Sequence, residues 1–235
     1  MHIVTYRRRA VRGLNAVSRV RRLLAHSTDA SFAAVGRACG GIGCRHVNRT
    51  LSLRRTVVLV DWVTPDAAAR GRGILDSHLE DHDAVVWSAG LKPFRSRGHW
   101  RGDAPFVTTS ASADSNDPSA LVASITYAHI RPSKIAHFYL RGFPAAARRL
   151  TGQNSPMLAG VGFGDTPILN ACTFSVWPSS RELDRVVLGR SEPHATAAKR
   201  SEEEDWLSES LFARFLVTDH GGTWGTGDPL ASLRA

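Results

Sequence analysis

The chain has 235 residues, enough to bury a core and consistent with one large domain or two small ones. Apolar residues make up 43% and charged residues 22%, a balance that excludes disorder and a coiled coil, and no apolar run approaches the roughly 18 residues of a membrane-spanning helix. The net charge of +9 is uneven: residues 1–60 hold twelve arginines against the single acid Asp29, and the rest of the chain is slightly acidic. Such a patch speeds encounter with an acidic protein, a nucleic acid or an anionic lipid.

In chain order, MHIVTY at the start reads as a short strand and is followed by no apolar core of a secretory signal. Val11, Leu14, Val17 and Leu24 then recur at helical spacing, with Arg8, Arg12, Arg19 and Arg22 spread around the remaining face. Phe32–Gly43 reads as a glycine-rich strand, and Thr56–Trp62 as an apolar strand ending in Trp. Thr64-Pro65-Asp66 places a capping hydroxyl before a proline at the first helical position. A strand then closes on the turn Gly98–Asp103 (GHWRGD).

Thr108–Pro118 is a polar, turn-rich linker. Beyond it the order recurs: a strand at Ile125-Thr126-Tyr127, a helical stretch over Pro132–Leu150, and a glycine-rich strand at Met157–Gly164. Thr173–Trp177 again ends in Trp, and Pro178-Ser179-Ser180 starts a helix. In Leu211–Thr218 the alternation favours Leu211, Ala213, Phe215 and Val217 inward, before a closing turn at Gly222–Pro229. The offset between matched motifs drifts from 121 through 115 to 124.

Each half therefore reads β-α-β-β-α-β, the ferredoxin-like order. Two such units in one chain cover each other sheet on sheet, giving an α+β fold with one fused barrel and an apolar interior. The divisions expected are 1–107, a linker at 108–118, and 119–235.

The three cysteines, Cys39, Cys44 and Cys172, are odd in number and lack zinc-ligand spacing, which points to thiols in a reducing, cytoplasmic compartment. Zincin, zinc-ribbon, α/β-hydrolase and P-loop motifs are missing, and the glycines of 160–164 suit a strand better than a phosphate loop. His194 follows Pro193 at a helix start, 17 residues after Trp177. In such a barrel the second helix would lie against one mouth of the interior, where a neutral imidazole would be a metal or haem ligand; the alternative is an exposed histidine. The corresponding Ser77-His78 is crowded by Asp76, Glu80, Asp81 and Asp83, which favours solvent exposure.

Several ordered motifs resemble one family. Thr126–Pro132 (TYAHIRP), Gly162–Pro167, Thr173–Pro178 (TFSVWP), Pro193-His194, Trp206–Phe215 (WLSESLFARF) and Gly222–Leu230 (GTWGTGDPL) look like the spheroidene monooxygenases, the acyclic carotenoid 2-ketolases. The likeness is detailed over about residues 120–230 and loose before them, and Asp165 stands where the family's segment is expected to carry Glu. The resemblance implies a haem-dependent monooxygenase acting on a hydrophobic substrate, a carotenoid or another secondary metabolite, with electrons from a ferredoxin. By the same resemblance His194 is the expected ligand of haem b iron, held between its helix and the second-half sheet, with Phe174 and Phe215 lining the pocket. Arg131 and Arg214 are candidates for holding a propionate or polarising oxygen, with surface or ion-paired roles as the alternative. The basic first 60 residues are the expected docking face for an acidic ferredoxin. A haem-dependent dehydratase, a non-catalytic haem-binding protein and a nucleic-acid-binding module remain as rivals, the last without the aromatic pattern of an RNA-binding sheet.

Overall fold

The structure is a computed structural model. It describes residues 1–6, 18–24, 27, 29–39, 45–46, 51–80, 84–108, 120–152, 154–164, 166, 168–187, 189 and 193–231. The first half contributes β1 (His2–Tyr6), a helix α1 at 18–24, β2 (Ala30–Cys39), a short β3 (Arg45–His46), β4 (Leu51–Trp62), α2 (Pro65–Glu80) and β5 (Ala84–Gly98). The second contributes β6 (Val122–Ile130), a helical run ending in α4 (Phe143–Thr151), β7 (Ala159–Gly164), β8 (Asn170–Trp177), α5 (Ser180–Val187), α6 (Pro193–Glu203) and β9 (Leu207–Gly222). The run begins as a 3-10 turn at Pro132–Lys134, becomes α3 (Ile135–His137), and widens to a π-turn at Phe138–Gly142 before α4.

Strand order β2-β4-β1-β5-β9-β6-β8-β7 closes on itself through a second pairing of β2 with β7, and β3 adds a parallel edge to β7. Both halves have the ferredoxin-like strand order, so the expected fold holds: two tandem units share one α+β barrel. Closure is unequal. The β5–β9 seam runs from Trp87 opposite Gly222 to Gly98 opposite Leu211, whereas β2 and β7 meet only at Arg37–Gly164 and Ala38–Phe163.

Those two end pairs expose the true register of the repeat. Trp87 and Leu211, and likewise Gly98 and Gly222, are 124 residues apart, so a pseudo-twofold axis exchanges one pair for the other. Ile3 pairs with Trp87 while Tyr127 pairs with Leu211, so Ile3 is the counterpart of Tyr127. The sequence match of Val4-Thr5-Tyr6 to Ile125-Thr126-Tyr127 is therefore displaced by three residues. An odd slip turns a strand over, and indeed Tyr6 packs among the helix-side residues while Tyr127 faces the interior.

The expected turns form at both barrel ends. Trp100 bridges to Asp103 and Trp224 to Gly227. Each is preceded by a glycine at positive φ, Gly98 at 98° and Gly222 at 90°, whose missing side chain lets a backbone carbonyl of the neighbouring strand approach closely. Both indoles are buried inside the barrel, Trp100 stacked on Tyr127 with ring centroids 4.6 Å apart and Trp224 against Trp87 at 5.1 Å.

The interior is one apolar cluster drawn from both halves, including Ile3, Trp87, Phe106, Phe174, Phe215 and the buried Cys172. The inward set Leu211, Ala213 and Phe215 follows the alternation expected for β9. The helices cover the outside of the sheet, and their starts are capped as the residues predict. The Thr64 hydroxyl accepts from the Ala67 amide at 3.1 Å, and Ser179 accepts from the Glu182 amide at 3.3 Å. Among the described residues no helix is long and apolar enough to cross a membrane. The expected helix over 8–24 is described only at 18–24, and most of the linker 108–118 lies outside the described residues.

Candidate active site

A groove opens on the outer face of the second half, between the sheet and the helices α4 and α6. Its floor is Thr126 and Ala128 of β6, Ala171 and Thr173 of β8, and Leu207 and Phe212 of β9. Gly142, Phe143, Ala146, Ala147 and Leu150 close one side, and Ala197, Ala198 and Ser201 of α6 the other. The enclosed volume is about 130 Å³, and the groove with its open mouth measures about 770 Å³. Among the described residues no charged side chain lines it.

Small residues create the space. Alanines meet across it from β6, β8, α4 and α6, and a side chain on Gly142 would come within 2.6 Å of the Trp206 ring. Trp206 walls the far end and is locked there: its indole donates to Glu204 at 2.9 Å, its amide to the Ser201 carbonyl at 3.0 Å, and its carbonyl accepts from the Arg131 amide. The Trp206 hydrogen bond, with Arg200, His137 and Lys134 nearby, holds the Glu204 carboxyl below its ordinary pKa against the opposing effect of desolvation. The solvent side of α6 is knitted by Lys199–Glu203 and Arg200–Glu204 ion pairs.

Helical spacing aligns position 194 with Ala197, Ala198 and Ser201, three, four and seven residues on. The His194 side chain itself lies outside the described residues. Its helix corrects the sequence picture in one respect, since α6 covers the outer face of the sheet through contacts with α4 and does not guard a barrel mouth.

Phe174 and Phe215 need a second correction. They belong to the barrel interior, Phe174 near Trp87 and Trp224 and Phe215 edge-on to Phe106 at 5.0 Å, whereas Thr173 and Phe212 of the same strands face the groove. The period of two forces this division: neighbouring residues on a strand point to opposite faces. Arg131 is a half-exposed ion pair with Asp205 at 3.1 Å, and Arg214 pairs with Asp184 of α5 at 2.5 Å, so each takes the ion-paired role left open above.

His137, which sequence reasoning passed over, sits immediately before the groove residue Phe138, and its Nδ1 is buried with no hydrogen-bond partner among the described residues. The alanine-rich stretches 145–147 and 195–198 were the available signal for the groove. His78 is half-buried near the end of α2, which corrects the expectation of exposure. At the opposite end of β9 from the groove, Asp228 accepts from the Trp87 indole at 3.0 Å and the Leu230 amide at 3.1 Å and pairs with His220 at 3.0 Å. This knot ties the two halves together. Among the described residues no group of three or more His, Cys, Asp or Glu side chains converges as a metal site.

Fold and groove together define an α+β-barrel protein with an apolar groove on its second half. The fold is shared with an aldoxime dehydratase solved in complex with butyraldoxime, at a TM-score of 0.61 and 11% identity, over 99% of this chain and 84% of that one. No protein-family model matches the chain. It is 32% identical to the spheroidene monooxygenase of Rhodobacter capsulatus over 71% of this chain and 69% of that protein. It is also 30% identical to the Cereibacter sphaeroides spheroidene monooxygenase over 74% of this chain, where it spans about half (52%) of that protein's length. The chain belongs to the spheroidene monooxygenase family, and these relatives support a monooxygenase.

Proposed function

We propose that the protein is a haem-dependent monooxygenase that inserts oxygen into a hydrophobic, carotenoid-type substrate in the groove between α4, α6 and the second-half sheet. The observation that carries this reading is the groove itself, a cleft lined mainly by apolar side chains that encloses about 130 Å³ and opens to solvent, in a chain of this family. Each insertion consumes one O₂, two electrons and two protons, leaving one oxygen atom on the substrate and the other as water. Electrons would come from an acidic ferredoxin, a reading supported in the described part of the basic first quarter by the exposed Arg19, Arg21, Arg22 and Arg54.

The residues present fit a haem held by one axial imidazole. Helical spacing that aligns position 194 with Ala197, Ala198 and Ser201 supports His194 as the ligand, and the Nδ1 of His137, buried without a hydrogen-bond partner among the described residues, is the other imidazole at hand. When bound, haem supplies the oxygen-activating redox chemistry that these side chains lack. The chain's own part is to exclude water with Phe138, Phe143, Phe212 and Trp206, and to hold the substrate by apolar contact. Because no charged side chain among the described residues lines the groove, affinity should rise with apolar area and depend little on salt.

Adding haem to the purified protein should produce a Soret band, and reduction by ferredoxin in the presence of spheroidene and labelled O₂ should place the label in the product. The rate of reduction should fall steeply with salt if the basic surface docks the donor. A protein that takes up no haem in any preparation overturns the haem reading, and one that takes it up without incorporating label overturns the monooxygenase.

A further inference from the structure

The barrel interior holds one reactive group that apolar packing alone does not account for. Tyr127 lies on β6 between Thr126 and Ala128 of the groove floor, so its backbone borders the groove while its ring is buried on the other side, inside the barrel. There it stacks on Trp100 with centroids 4.6 Å apart and an interplanar angle of 11°, the closest and most nearly parallel of the described ring pairs. Its hydroxyl donates to the carboxylate of Glu209, which stands two residues before Leu211, the cross-strand partner of Tyr127, and so on the same face of the sheet. Both Glu209 oxygens are fixed in turn by the exposed end turn, accepting from the Arg101 amide at 2.9 Å and the Gly102 amide at 2.6 Å.

The fold requires none of this. The 124-residue spacing puts Ile3 in the place of Tyr127 and Val85 in that of Glu209, and the turn of Trp224 forms without either polar group. Tyr6, the other fully buried tyrosine, has no hydrogen-bond partner for its hydroxyl among the described residues. Burial, with the Glu209 carboxylate beside it, raises the Tyr127 phenol above its ordinary pKa, so the phenol keeps its proton at neutral pH. A neutral phenol bonded to a fixed base and stacked on an indole is arranged to give up an electron, because the base receives the proton that the oxidised ring releases.

We propose that Trp100, Tyr127 and Glu209 form a redox relay that carries an oxidising equivalent from the groove to the exposed turn at Arg101 and Gly102. The inference rests on the oxygen chemistry proposed above for its oxidant, a one-electron oxidant left unspent when oxygen is reduced in the groove without substrate. Tyr127 gives that oxidant an electron and gives Glu209 its proton. Trp100 then passes an electron to the phenoxyl, which takes the proton back from Glu209. A thiol reductant at the turn refills the indole, losing one electron and one proton, and two oxidised thiols close as a disulfide. The side chains end unchanged.

The test needs no haem. A ruthenium tris-bipyridine complex is attached at Ala198→Cys in a chain carrying Cys39→Ser and Cys44→Ser, with the buried Cys172 left in place, and is oxidised in the groove by a flash and a soluble quencher. Ser201→Cys on the same helix is the second attachment point. Electron paramagnetic resonance and transient absorption should show a neutral tyrosyl radical that Y127F removes and Y6F leaves. In E209Q its formation should slow about a hundredfold, the effect of losing a positioned base. In W100F added thiol should quench it more slowly. Absence of the radical in labelled protein with native circular dichroism, or its survival in Y127F, overturns the relay. An unchanged rate in E209Q overturns Glu209 as the proton acceptor, and unchanged quenching in W100F overturns Trp100 as the outlet. Haem uptake is read separately from the Soret band, so failure of the relay and failure of the haem reading are told apart.

Discussion

The two halves of the barrel carry the same strand order and the same end turns, yet their helix-facing surfaces are opposites. In the first half Val4, Tyr6, Val35 and Val58 pack against Val20, Leu24 and Leu75 from α1 and α2, and the pocket beside them, about 380 Å³ between α1 and β2, is edged by the charged Arg21, Arg101 and Asp103. In the second, Ala128 and Thr173 occupy the places of Val4 and Val58, and the helices bring alanines, so a groove remains. The filling resumes only at the other end of the same face, around Val122, Leu150, Trp177 and Leu183. A duplicated fold can thus pack one copy against its helices and leave a groove in the other by changing a few methyl groups, because close-packed interiors respond to single methylenes.

The largest expected effects test what the halves still share. Trp100→Ala and Trp224→Ala each remove a fully buried indole from a barrel end and should cost about 3–5 kcal/mol in chemical unfolding. Similar losses at both ends would support functional equivalence of the turns, and a loss confined to one would break it.

Next is the asymmetry itself. His194→Ala should abolish the Soret band on haem addition, with at least about a hundredfold loss of affinity, while His78→Ala on the first-half helix should leave it intact. Loss of the band in His137→Ala alone would shift the ligand to the other helix of the groove. Val4→Ala should destabilise the first half by about 2 kcal/mol, as expected for a cavity without a ligand. Ala198→Phe, which fills the groove, should leave the melting temperature within a few degrees and weaken ligand binding more than about tenfold.

The smallest effect is on the Asp228 knot between halves. Burial raises this carboxyl's pKa, but the Leu230 amide, the Trp87 indole and His220 outweigh it, so the folded pKa lies below the ordinary value. The stability it contributes is present above the unfolded carboxyl's pKa of about 3.9 and is lost as pH falls through the lower folded value. Asp228→Asn should therefore flatten the stability curve below about pH 4, and urea unfolding between pH 5 and pH 3 measures it.

Much of the fold was legible along the chain. Capping residues, glycine-bearing turns and strand alternation are local, and each recurs in both halves, so their meaning did not depend on distant contacts. The alternation of β9 even divided Phe215 from Phe212 correctly, yet it did not say which face opens into the groove. It could not tell that Phe174 and Phe215 face the barrel interior and not the groove, since aromatic residues mark a filled barrel as readily as a pocket wall. The groove escaped notice because alanines carry little signal, and His137 because burial of its Nδ1 is a tertiary fact.

The sequence by itself determined that two related units form one α+β barrel and that its excess positive charge lies in the first quarter, since both follow from residue order and composition. Only the tertiary structure decided the register of the repeat, which depends on strand pairing across the halves. It alone also located the empty space, because a cavity is set by what helices and strands brought together from four separate segments fail to fill.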